Sequence, residues 1–286
     1  MNGASAAAAA KNVNVSHTAA DGAYTNAMWI DLDNACGQCH GGGVSPTDLE
    51  TTGFITKGSD DGVAMVGFRL TPVRGLKIEV SEQYGINTFN TAFVQADYSW
   101  PLSDELTLQL GAQFTDQRAV GDALVTTSAF RNWVTQAGSG QVALKWRDLK
   151  VTSGFSVTAS GNTMQTPWGS YPGYLSIIQE DFDRANEKAW LIGAAYDFSR
   201  LITPGLSGFF NFAFGTDAIN PATRAPAPDQ REYDFTIDYN PPKGYLFFPL
   251  THNLWFRLRG VIFDQEGADR LGYQVRIIIN WDVPLL

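Results

Sequence analysis

Cysteine is almost missing from this chain, with two in 286 residues, which excludes a framework of several disulfides. Charge is sparse as well, at 17%, and no stretch approaches the run of about 18 apolar residues that a transmembrane helix needs. Only three histidines occur, His17, His40 and His252, and the acids show no spacing that selects a pair for acid–base chemistry. No glycine-rich phosphate loop stands between a strand and a helix. Nothing catalytic is therefore expected. The net charge of −9 and pI of about 4.8 argue against a nucleic-acid partner. No basic segment precedes the short alanine run at 6–10, so no secretory signal starts at Met1. An exported chain would then be a mature form or part of a longer gene.

What the chain does have is glycine, phenylalanine and alternation. It holds 28 glycines and 18 phenylalanines, and its mean hydropathy of −0.14 reflects apolar and polar residues taking turns. In the last hairpin Trp255, Arg257, Arg259 and Val261 share one face, with Leu254, Phe256, Leu258 and Ile262 on the other. The return places Tyr273, Val275, Ile277, Ile279 and Trp281 opposite in parity to Gln274, Arg276, Ile278 and Asn280. Period-2 patterning of this kind predicts strands over 62–70, 76–85, 90–100, 106–117, 139–147, 149–160, 187–198, 206–215, 231–240, 253–263 and 271–282. Residues 1–61 carry no sustained period. They read as one long loop of extracellular type with a short helix at 6–10, and 62–286 as the sheet.

An antiparallel sandwich in water would show the same alternation. Two features favour a transmembrane β-barrel. Short connections at 71–75, 101–105, 147–150 and 199–205 alternate with long ones at 118–137, 161–186 and 219–230, as in outer-membrane barrels. The connections at 86–89 and 241–252 break that rule. Secondly, the strands are of spanning length, and arginine on a lipid face at mid-bilayer costs ~2–4 kcal/mol, so Arg257 and Arg259 must face a lumen. The expected fold class is all-β: an incomplete antiparallel barrel of about eleven strands, embedded in outer-membrane lipid.

Several blocks then resemble the OprD-type outer-membrane porins. They include Phe89-Asn-Thr91, Ala96-Asp-Tyr98, Trp100-Pro-Leu-Ser-Asp104, Leu110-Gly-Ala-Gln-Phe114, Asp116-Gln-Arg118, Thr166-Pro-Trp-Gly-Ser-Tyr-Pro-Gly173, Tyr196-Asp-Phe-Ser199, Leu254-Trp-Phe-Arg257-Leu-Arg259 and Tyr273-Gln-Val-Arg276, closing on Pro284-Leu-Leu286. The resemblance covers about 62–286. It implies a barrel of roughly eighteen strands, with this chain as its C-terminal two-thirds. It also implies passive, selective uptake of small anionic or amphoteric solutes, often carboxylates, past basic residues that line the constriction. By parity the basic candidates are Arg69, Lys77, Lys145, Arg147, Arg257, Arg259 and Arg276. A guanidinium matches a carboxylate bidentately. The plainer alternative is that these charges pair with lumenal acids such as Glu79, Asp97, Asp234 and Asp238 to hold the wall.

The two cysteines fall in Cys36-Gly-Gln-Cys39-His40. That spacing suits thioether attachment of a c-type haem, with His40 as an axial ligand and His17 or Met28 as a second. It equally suits a small-ring disulfide in an exported loop, or a reduced or metal-bound pair. The porin resemblance does not reach this motif, and a porin requires no cofactor. Two rival functions follow: an electron-transfer porin–cytochrome, and a non-conducting outer-membrane scaffold or adhesin. The sequence carries no signal for an oligomeric state.

Overall fold

The computed structural model describes residues 29–31, 63–123, 132–165, 173–242, 254–266 and 271–281. They form one antiparallel sheet of twelve strands in which sequence neighbours are sheet neighbours throughout. The strands are β1 (Trp29–Asp31), β2 (Val63–Leu70), β3 (Leu76–Gly85), β4 (Phe89–Pro101), β5 (Leu106–Ala119), β6 (Val134–Trp146), β7 (Leu149–Thr158), β8 (Lys188–Asp197), β9 (Leu206–Thr216), β10 (Gln230–Tyr239), β11 (Leu254–Gln265) and β12 (Gly272–Trp281). A 3₁₀ turn, Phe198–Arg200, joins β8 to β9, capped by Asp197, whose carboxylate accepts from the N–H of Ser199.

All eleven expected strands are present, with shifted ends. β6 begins five residues earlier than its alternation suggests, because its outer half, Val134-Thr-Gln-Ala-Gly138, has no apolar period to read. Thr135 and Ala137 are buried there by the following loop, Thr135 Oγ1 donating to the carbonyl of Asn162 at 2.7 Å and Ala137 packing on Met164. β6 also stops at Trp146, which leaves Arg147 in a turn with φ of 52°. β1 lies in the stretch without a period and pairs with β2 from Trp29↔Met65 to Asp31↔Val63. Three residues are too few to display alternation. The alanine run 6–10, the Cys36–Cys39–His40 motif, His17, Met28, His252, most of the 166–173 block and the closing Pro284-Leu-Leu286 lie outside the described residues.

The two sheet faces differ as lipid and water differ. Tyr273, Val275, Ile277 and Ile279 are exposed on one face of β12, Ile277 by 77%. Phe210, Tyr233, Phe235, Ile237, Val142 and Leu144 continue that face around the sheet. The opposite face carries Glu79, Gln95, Gln113, Gln117, Glu232, Asp234 and Thr236, all buried. A water-soluble protein seldom exposes so large an apolar surface, while hydrocarbon accepts it at no cost. A strand of ten residues, such as β10, is about 33 Å long, and a tilt of about 40° fits that to an apolar band of about 25 Å. Among the described residues no helix is long and apolar enough to cross a membrane. The crossing is made by strands, and the sheet is the wall of a transmembrane β-barrel.

This assignment fixes the sign of a paired substitution. Phe210→Arg puts a guanidinium into lipid near the middle of β9, and is expected to lower unfolding free energy in phospholipid vesicles by ~2–4 kcal/mol. Ser207→Arg on the same strand faces water opposite Asp197 and Asp238. Its effect should stay within about 1 kcal/mol. Urea titration followed by tryptophan fluorescence checks both.

Candidate functional site in the lumen

The connection from β7 to β8 does not stay outside. Its second half, 173–187, turns back against the water-facing side of the sheet. Leu175 and Phe182 pack on the inward Ala189, Leu191 and Ala213, with Tyr174 and Ile177 beside them. Polar groups fix the rest. Glu232 of β10 accepts from the backbone N–H of Gln179 at 2.8 Å and of Glu180 at 2.7 Å. Gln113 Oε1 accepts from Tyr174 N at 3.1 Å and from Ser139 Oγ at 2.9 Å. Tyr174 donates its hydroxyl to Asp97 at 2.8 Å. In the first half of the connection, Gln165 exchanges two hydrogen bonds with the side chain of Gln117, at 2.7 and 2.8 Å.

Glycine makes the approach possible. A Cβ on Gly111 would lie 2.4 Å from the Tyr174 hydroxyl, and one on Gly215 would lie 2.0 Å from a Glu187 carboxylate oxygen. The segment thus narrows the lumen by resting on bare backbone.

The segment is acidic on its buried side. Asp183 is pushed well above the ordinary carboxylate range, first by burial, then by the charges of Asp181 and Glu187. Asp181 and Glu180 are raised as well, each mainly by burial, Glu180 also by Glu232. The nearby cation is Arg184, which bonds Glu187 at 2.6 Å and the carbonyl of Pro228 at 2.8 Å. Among the described residues no acid group is arranged to hold a metal ion.

Of the basic candidates, two are committed to acids on neighbouring strands. Arg69 bonds Glu79. Arg257 grips Asp238 with two hydrogen bonds, 2.6 and 2.9 Å, and lies 4.4 Å over the ring of Trp255. Arg259 and Arg276 differ. They stand directly opposite each other on β11 and β12, and among the described residues neither forms an ion pair. Arg276 donates to Gln274, while the Nε of Arg259 is buried without a hydrogen-bond partner. Asp234 acts on both from β10. Lys77 faces Asp97 across the ladder, and Lys145 faces Lys150. Arg147, expected on a strand, lies in the β6–β7 turn, paired with Glu105 at 2.8 Å and 5.4 Å from the Trp146 ring.

Sequence reasoning missed the inserted segment with its Tyr174 and Glu232 anchors. The glycine at 111, between Gln109 and Gln113 on the lumenal face, was the available signal.

The family model described as outer membrane porin, OprD family, matches residues 43–285. The fold is similar to that of Pseudomonas aeruginosa OpdK solved with vanillate, with a TM-score of 0.67 at 18% identity over 78% of this chain and 57% of that one. It is also similar to Acinetobacter baumannii OccAB2, with a TM-score of 0.65 at 22% identity over 78% and 55%, and to Pseudomonas aeruginosa OccK5 (OpdH), with a TM-score of 0.65 at 15% identity over 81% and 62%. This chain therefore spans 55–62% of the length of these solved structures. None of the curated proteins matches it.

Two tests address the inserted segment. Glu232→Gln leaves one of the two N–H groups facing an amide NH₂, so hydrogen–deuterium exchange at Gln179 and Glu180 should quicken about tenfold or more. The raised carboxyls bind protons better docked than free. Their contribution to docking is fully present below the ordinary carboxylate range and is lost as pH rises toward the raised values. Protection factors over 173–187 should accordingly be higher at pH 5 than at pH 8.

Proposed function

Because the chain belongs to the OprD family of outer membrane porins, we propose that it lines a water-filled channel through which small carboxylate-bearing solutes diffuse passively across the outer membrane. The family is one of porins and not of enzymes. The observation that carries the substrate class is the opposed pair Arg259 and Arg276, two lumenal guanidiniums that form no ion pair among the described residues, on a wall where Arg69 and Arg257 have theirs. A guanidinium presents a planar fork that a carboxylate fills, and a low-dielectric wall lengthens its reach.

Affinity has to remain weak, since a conducting pore needs release as much as entry. That OpdK was solved with vanillate, an aromatic carboxylate, supports the same class. Haem gains no such support, since Cys36, Cys39 and His40 precede the matched 43–285.

Liposome swelling with the full-length protein tests the proposal. Benzoate-type anions should enter faster than neutral sugars of equal size, and Arg259→Gln with Arg276→Gln should reduce that preference about tenfold. Equal entry rates in wild type and variant would sink it.

A further inference from the structure

The turn between β8 and β9 leans onto the lipid side of the wall. Gly208 of β9 stands on the lipid face, directly between its cross-strand partners Tyr196 and Ile237. A Cβ there would lie 3.5 Å from Phe198 Cε2, so the Phe198 ring covers the bare backbone that the glycine leaves. The same ring rests on Tyr196, with centroids 4.9 Å apart. From that foothold the chain turns tightly. The N–H groups of Leu201 and Ile202 both donate to the Phe198 carbonyl, at 3.0 and 2.9 Å, and Gly205 N donates to Ser199 Oγ at 3.1 Å. The turn so fixed leaves Leu201 69% and Ile202 67% exposed. A single exposed leucine calls for no explanation. Here two adjacent aliphatic side chains lie within one turn of a ring that already belongs to the lipid face. Two other short turns also expose an apolar side chain, Val73 and Leu102. At the long-loop end, the connection 217–229 exposes no large apolar side chain. Arg200, beside Leu201, pairs with Asp148 of the neighbouring turn at 2.7 Å.

We propose that the β8–β9 turn is an interfacial anchor: Leu201 and Ile202 enter the phospholipid leaflet at the short-turn end of the barrel, and Phe198 holds the turn on the lipid side. The occupant follows from continuity. Tyr196 and Phe198 extend the surface that Trp190 and Ile192 present to hydrocarbon on the same strand. Side chains one 3₁₀ turn further on need only reach the boundary between headgroups and acyl chains, the depth that tyrosine favours. Arg200 suits the same depth, since its stem can lie along apolar surface while its charge stays among the headgroups. Apolar area that would be wasted in water is then removed from it. The anchor sets how deeply the barrel sits in the bilayer, and it holds whichever solute the channel takes.

Methyl relaxation in the wild-type, full-length protein reads the anchor directly. The protein is placed in phospholipid nanodiscs with ¹³C-labelled leucine and isoleucine methyls, and Leu201→Met and Ile202→Met each delete one signal and so identify it. A phospholipid spin-labelled high on its acyl chain should broaden the Leu201 and Ile202 signals, while a soluble gadolinium chelate leaves them sharp. A phospholipid labelled near its tail end should act instead on Ile192, at the middle of β8 on the lipid face. Phe198→Ala releases the foothold, so Leu201 and Ile202 should lose most of the lipid label's effect while Ile192 keeps its own. Broadening of Leu201 and Ile202 by the chelate, with none from either lipid label, would place the turn in water and overturn the anchor. Protection from all three probes would place a protein partner on the turn and overturn it equally.

Discussion

Inside a bilayer no water is available to satisfy an amide, so every strand must give its N–H and C=O groups to its neighbours. That constraint orders the rest of the molecule. It demands long, regular ladders, such as the thirteen-residue pairing of β4 with β5 from Phe89↔Ala119 to Pro101↔Thr107. It forces side chains into two populations by parity alone. Tyr233, Phe235 and Ile237 go to lipid, and Glu232, Asp234 and Thr236, the residues between them, go inward. Six consecutive residues thus serve two solvents, and neither set can be changed in polarity without disturbing the crossing.

The inward population would face bulk water if the barrel were empty. The returning segment 173–187 changes that by placing a small apolar cluster, Leu175 and Phe182 on Ala189, Leu191 and Ala213, inside a polar tube. Its backbone is then in the position of any buried backbone and needs partners. The wall provides them from side chains: Glu232 to Gln179 and Glu180, Gln113 to Tyr174. Several lumenal acids and amides therefore hold the returning segment in place.

The fold was legible in the amino-acid order because the membrane imposes a period of two and rewards its repetition. Eleven strands and the facing of Arg257, Arg259 and Arg276 follow from that period. Its ends were less legible. The outer half of β6 is buried by a loop and not by lipid, and so has no apolar rhythm, and Arg147 was carried onto a strand that stops one residue short. The inserted segment could not be read from periodicity at all, because it is irregular chain whose position depends on Gly111, 63 residues before Tyr174, and on Gly215, 28 residues after Glu187. Which arginines are already paired depends on register, and parity is blind to that.

The tether of the returning segment has one further implication. Glu232 holds amide hydrogens of Gln179 and Glu180, not their side chains, and an amide is common to nearly every amino acid. The identity of the residue that projects from 179, an exposed position, is thereby uncoupled from the anchoring of the segment. New side chains can be tried there, one substitution at a time, while the bore keeps its width. Such an anchor lets the lining of the lumen vary while its frame stays as it is.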